Sequence, residues 1–115
     1  MRRGDVVWAD LRPRSGSEQQ GRRPVIVVSH DGFNRTPAWR SVIIVPVSTS
    51  LSQAARGPTA VPLAAGIGGL PAESVALCHQ VTTLDRSKLV EPIGRLPSSD
   101  LTRLAEGLKA ALDLM

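Results

Sequence analysis

Gly16-Ser-Glu-Gln-Gln-Gly-Arg-Arg-Pro-Val-Ile-Val-Val28 joins a polar, glycine-flanked segment to two arginines, a proline and a β-branched run. Residues 25–29 predict a central strand, because unbroken Val/Ile runs belong to strands covered on both faces. Pro24 fixes φ where that strand is expected to begin, a strand position that tolerates a missing N–H. Arg22 and Arg23 are thus expected at the mouth of a loop, on the start of a rigid strand. Each guanidinium is a planar fork of five donors, permanently charged and matched to phosphate oxygens. By itself the segment fits a phosphate-gripping site on a β scaffold, and equally a solvated turn.

Outward from this stretch, the chain alternates short apolar runs with turn signals. Residues 5–11 alternate in part and predict a first strand, followed by a polar loop over 12–23. Gly32, Asn34 and Pro37 mark 30–40 as a turn region. Ser41-Val-Ile-Ile-Val45 predicts a second buried strand, with Pro46 expected to blunt its end. A second polar loop is expected over 48–58, a short strand over 59–63 and a glycine-rich turn over 64–73. Residues 75–83 predict one further strand, and 89–93 a short one weakened by Pro92. The C-terminal segment changes period. Leu101, Leu104, Ala105, Leu108, Ala111, Leu112 and Met115 follow helical spacing, behind Ser98-Ser99-Asp100 as N-cap residues. Gly107 is expected to weaken that helix by roughly 1 kcal/mol relative to alanine. Several strands followed by one helix predict a small antiparallel sheet or barrel with a helix packed on it. No repeat or linker interrupts the 115 residues, so one domain over 1–115 is expected.

Composition narrows the partners. Net charge is +4, and residues 1–58 hold nine arginines against four acids while the remainder is close to neutral. The positive charge belongs to the half that carries Arg22 and Arg23, which points to a polyanion partner. Only three aromatics and no tyrosine are present, which argues against a broad base-stacking platform. No apolar run reaches the roughly 18 residues that cross a bilayer, and the N-terminus lacks a signal-peptide core. The expected compartment is the cytoplasm. Cys78 is the single cysteine, in an apolar run where a small buried hydrophobe is expected. His30 and His79 with scattered acids do not match zinc spacing, so no metal site is expected.

Gly4-Asp-Val-Val-Trp-Ala-Asp-Leu11, Gly16-Ser-Glu-Gln19 and Gly21-Arg-Arg-Pro-Val25 together resemble the MazF/PemK (Kid) family of bacterial toxins. The likeness continues through Ile44-Val-Pro-Val-Ser48, Val75-Ala-Leu77, Gln80 and Thr83-Leu-Asp85 to the closing helix, over essentially the whole chain. It implies a mainly β fold with a C-terminal helix, the SH3-like small barrel and antiparallel sheet of the MazF–PemK–CcdB type. It implies a homodimer with single-stranded RNA in a groove at the interface, and a cognate antitoxin whose acidic segment occupies that groove. It implies a metal-independent endoribonuclease leaving a 2′,3′-cyclic phosphate and a 5′-hydroxyl. Two family catalytic positions fall on Arg23 and Ser48. Threonine is common at the latter, so Ser48 departs mildly while keeping the hydroxyl; Thr49 supplies it if the register is off by one. Ser17, Glu18, Gln19, Arg22, Thr49 and Gln80 are the further candidates for contact with RNA.

The chemistry suits these residue types. The 2′-OH of RNA attacks its own neighbouring phosphorus, so the protein needs only to hold that geometry and neutralise charge growing on the phosphorane. Arg23 can donate two parallel hydrogen bonds and a hydroxyl a third. An arginine with a pKa above ~12 is a poor general base, so Arg23 is expected to stabilise charge, with Glu18 a possible base. His30 and His79 match no catalytic position carried over from the family and are expected to be structural. Trp8 is expected in the core or an interface, and Trp39 is the better stacking candidate. A toxin of the same fold class that traps DNA gyrase, as the CcdB toxins do, is the alternative, as is a binder of RNA or antitoxin that does not cut.

Overall fold

The structure is a computed structural model and describes residues 1–12 and 21–115. Its strands are β1 (Asp5–Asp10), β2 (Arg22–Val27), β3 (Ser41–Ser48), β4 (Ala60–Leu63), β5 (Ser74–Leu77), β6 (Thr82–Asp85) and β7 (Leu89–Arg95). A one-turn helix α1 (Asp31–Asn34) follows β2, and α2 (Ser98–Leu112) closes the chain. The seven strands form one sheet in the order β4-β5-β3-β2-β1-β7, with β6 also on β3. Every pairing is antiparallel, as expected where strands follow one another through short connections.

Two prolines decide how the ladders run. Pro46 was expected to end its strand, yet β3 passes through it to Ser48. On one edge β3 pairs with β6 from Ser41 to Ile44 and with β5 only from Val47. Pro46 falls in the gap between these partners. The Val28 N–H donates to Ile43 O at 2.9 Å on the β2 edge, and bonded and non-bonded pairs alternate, so the Pro46 nitrogen turns toward that gap. Pro24 is handled likewise. It was expected to open β2, but Arg22 and Arg23 precede it inside the strand, opposite Asp10 and Ala9. The Leu11 N–H donates to Gly21 O at 2.9 Å, which by the same alternation turns the Pro24 nitrogen away from β1. The ladder to β3 begins one residue later, at Val25.

The expected single strand over 75–83 is two strands separated by a 3-10 turn at Cys78–Gln80. This turn carries the chain past the gap beside Pro46 and drives Cys78 under α2, where its Sγ lies 3.8 Å from Leu104 O. Burial pushes the Cys78 thiol up to about 11, in keeping with a packing role. The expected polar loop over 48–58 contains a 3-10 helix, Leu51–Arg56, with no buried residue. Pro92 does not stop β7, which is an edge strand and runs on to Arg95.

Both faces of the sheet are covered. Val7, Ala9, Leu11, Val25, Val27, Val42, Ile44 and Leu84 fill one side, with Leu89 against them. These come from β1, β2, β3, β6 and β7, the interior a small barrel requires. Val6, Ile26, Val28, Val45, Val47, Ala76 and Cys78 face the other side and meet Leu104 of α2. The helix begins at Ser98 behind Pro97, without a side-chain cap. The expected N-cap group thus lies inside the first turn, where Thr102 Oγ1 donates to Ser98 O at 3.0 Å. The apolar stripe is shorter than its spacing suggests: Leu104 and Gly107 are buried, while Leu112 is 53% and Met115 fully exposed.

Candidate functional site

The pleat of β2 and β3 positions the site. Val25 lies opposite Pro46, and Val27 opposite Ile44, so odd residues of β2 share a face with even residues of β3. Arg23 and Ser48 therefore belong to one face of the sheet. Arg23 is exposed, and the Ser48 side is 5% exposed. The Ser48 hydroxyl accepts a hydrogen bond from Ser50 N at 3.0 Å, which organises the turn after β3. Thr49 is exposed.

A cavity of about 140 Å³ lies at this end of the strands, lined by Trp8, Arg22, Arg23, Pro24, Val47, Thr49, Pro71 and Ser74. Thr49 thus shares a cavity with Arg23, whereas Ser48 shares its sheet face. The two hydroxyls weighed from sequence stand on either side of the end of β3. Trp8 was expected in the core or an interface; it is half-buried and walls the cavity. Arg22 stands with its guanidinium carbon 5.9 Å from the centre of the Trp8 ring, within reach of a cation–π contact. It also pairs with Glu91 of β7 at 3.3 Å. Ser74 is buried and donates its hydroxyl to Ala72 O at 2.7 Å, leaving the oxygen lone pairs as acceptors. Sequence reasoning missed Ser74 and Pro71, which reach the cavity only because β5 pairs with the end of β3.

The other expected site residues fall apart. Ser17, Glu18 and Gln19 lie outside the described residues. Gln80 ends the 3-10 turn after β5, half-buried beside His79, with its Nε2 3.4 Å from the imidazole Nε2. Val75, Leu77 and Ala60 form a small apolar cluster between this turn and Ser48.

The two histidines sit in different surroundings. His30 caps α1, its Nδ1 accepting from Gly32 N at 2.8 Å. His79 Nδ1 is buried without a hydrogen-bond partner among the described residues. Burial and, after it, the positive charge of Arg56 hold the His79 pKa below the usual histidine value. Trp39 is 49% exposed and packs edge-on against Phe33, ring centres 4.6 Å apart. Arg86 braces that segment from the 3-10 turn after β6, donating to the carbonyls of Phe33, Asn34, Thr36 and Trp39 at 2.6–3.1 Å. Among the described residues no three His, Cys, Asp or Glu side chains gather where they could hold a metal ion, and no helix is long and apolar enough to cross a membrane.

An antiparallel sheet with α2 packed on it, and arginines and hydroxyls at the joined ends of β2 and β3, define a small mainly β protein with a C-terminal helix. The family model described as "PemK-like, MazF-like toxin of type II toxin-antitoxin system" matches residues 2–112, and the chain belongs to that family. It is 38% identical to endoribonuclease MazF9 of Mycobacterium tuberculosis, over 99% of this chain and 98% of the relative. It is 37% identical to endoribonuclease EndoA of Bacillus subtilis, over 100% of this chain and 97% of the relative. Among solved structures, MazF of Deinococcus radiodurans superposes with a TM-score of 0.81 at 29% identity, covering 99% of this chain and 97% of that one.

Proposed function

We propose that this chain is an endoribonuclease toxin of a type II toxin–antitoxin pair, folded as one unit over residues 1–115. The relatives it matches over nearly their full length are named endoribonucleases, and the family is one of toxins of type II toxin–antitoxin systems. The substrate is single-stranded RNA in the cytoplasm, cut without a metal ion by attack of a 2′-OH on the adjacent phosphorus. The products carry a 2′,3′-cyclic phosphate and a 5′-hydroxyl. The working form is a homodimer, and a cognate antitoxin occupies the RNA site.

The observation that carries the site assignment is the convergence of Arg23 with two hydroxyls at the ends of β2 and β3. Arg23 stabilises charge on the phosphorane oxygens, and a hydroxyl at 48 or 49 adds a donor. The exposure of Thr49 beside Arg23 favours it as the donor that meets RNA, with Ser48 holding the turn through Ser50 N. Arg22, Ser17, Glu18, Gln19 and Gln80 complete the RNA contacts.

The test is incubation of the purified protein with a long, mixed-sequence single-stranded RNA in EDTA, with the fragment ends mapped. Discrete cuts ending in cyclic phosphate are expected. Arg23→Ala should lower the rate by roughly two to three orders of magnitude without loss of fold. No cutting by folded, antitoxin-free protein would turn attention to a non-catalytic toxin, with DNA gyrase assayed next.

A further inference from the structure

We propose that the cavity beside Arg23 is a nucleobase pocket that prefers a pyrimidine to a purine, with Trp8 as its stacking wall. The inference rests on the RNA reading above and specifies what the site selects. Four features carry it. The volume, about 140 Å³, is close to that of a protein cavity that accommodates a single benzene ring, about 150 Å³. A six-membered base fits within this space, whereas the second ring of a purine projects from its open side.

The walls are flat and largely apolar: the Trp8 indole, the rings of Pro24 and Pro71, and Val47. An unstacked RNA base is held on such surfaces, and single-stranded RNA is read mainly through bases splayed out in this way. The polar groups are few and hydroxylic. Ser74 Oγ has committed its proton to Ala72 O, so it presents an acceptor, while Thr49 can donate or accept. That pair suits the edge of a pyrimidine, where ring N–H or amino donors alternate with carbonyls. Finally, Arg22 and Arg23 stand in the same lining, so the phosphates flanking a seated base meet guanidinium donors. Arg22 is held in place by Glu91 and the indole together. The site therefore selects the nucleotide next to the bond that Arg23 engages.

The experiment uses the full chain carrying Trp39→Phe, which leaves Trp8 as the sole indole reporter. Uncleavable 2′-O-methyl hexanucleotides of uridine or of adenosine are titrated, with binding followed both by Trp8 fluorescence and by anisotropy of a labelled oligonucleotide. Quenching of Trp8 by the uridine hexamer, with an affinity roughly tenfold or more above that of the adenosine hexamer, is expected. Trp8→Leu should remove that preference by lowering uridine binding to the level of the adenosine hexamer. Binding seen by anisotropy with no Trp8 response, or equal response to both hexamers, would overturn the pocket while leaving the RNA reading intact. Absence of any binding by anisotropy would overturn both. The fluorescence arm uses a conservative change at an exposed residue, so it decides the matter even if Trp8→Leu does not fold.

Discussion

At the scale of single residues, two neighbouring hydroxyls at the end of β3 take different places. Ser48 is buried and accepts from Ser50 N, whereas Thr49 is exposed and lines the same cavity as Arg23. Thr49→Val is therefore expected to lower the cleavage rate at least tenfold with little effect on thermal stability. Ser48→Ala should lower the melting temperature, through loss of a hydrogen bond worth roughly 1 kcal/mol. Rates and melting curves on the two variants separate these roles, and the reverse pattern would return the assignment to Ser48. His79 supports a different prediction. Its folded-state pKa lies below the ordinary value near 6.5 because the imidazole is partly buried and, after that, because the Arg56 charge disfavours its protonated form. The unfolded chain then binds the proton more readily, so stability is retained above about pH 6.5 and falls as the pH drops through the lowered value. Denaturant midpoints between pH 7.5 and 5 should show this decline, and His79→Gln should flatten it. Arg23, Ser48 and Thr49 were all legible as candidates from sequence. Which hydroxyl is accessible was not, because accessibility depends on the pleat of β3 and on the turn that follows it.

Elements show where local preference yields to packing. Helix propensity alone makes Gly107 a weak point that alanine should strengthen by roughly 1 kcal/mol. The helix is packed so closely, however, that a Cβ at 107 would stand 2.8 Å from both Cys78 Sγ and Val61 Cγ2. Gly107→Ala is expected to destabilise by about 1–3 kcal/mol, the usual effect of overpacking a filled core. Chemical denaturation decides between the two signs. The α1 segment depends similarly on a remote side chain. Arg86 reaches from the turn after β6 to four carbonyls between Phe33 and Trp39. Arg86→Ala should speed amide hydrogen exchange over residues 33–40 while leaving the central strands protected. The turn signals at Gly32, Asn34 and Pro37 correctly marked an irregular region, but nothing local revealed the arginine 46 residues beyond Arg40 that holds it. Pro46 is the corresponding case in the sheet. Its sequence context predicts a strand end, and only the exchange of β6 for β5 along β3 removes the need for its N–H.

For the whole molecule, charge asymmetry is the property that reaches farthest. The N-terminal half carries the excess arginine and also supplies Arg22 and Arg23 to the site. Binding to uncleavable RNA should weaken steeply with salt, by about 0.7 log units per phosphate engaged for each tenfold rise in salt concentration. A flat response would remove the phosphate-gripping reading. Chelator should leave cleavage unchanged, and inhibition that Mg²⁺ reverses would require another mechanism.

What the amino-acid order determined by itself was the approximate place of most strands, the closing helix, the family, and Arg23, Ser48 and Thr49 as candidates. Those follow from side-chain periodicity and from short motifs, which are local along the chain. The tertiary structure alone decided that Arg22 and Arg23 lie within a paired strand, that β3 runs through Pro46, that Gly107 is a packing requirement, and that Trp8, Pro71 and Ser74 close a cavity around Arg23. Each of these depends on contacts between segments far apart in sequence. Register and close approach between such segments are set by the sheet as a whole, not by the residues flanking any one of them.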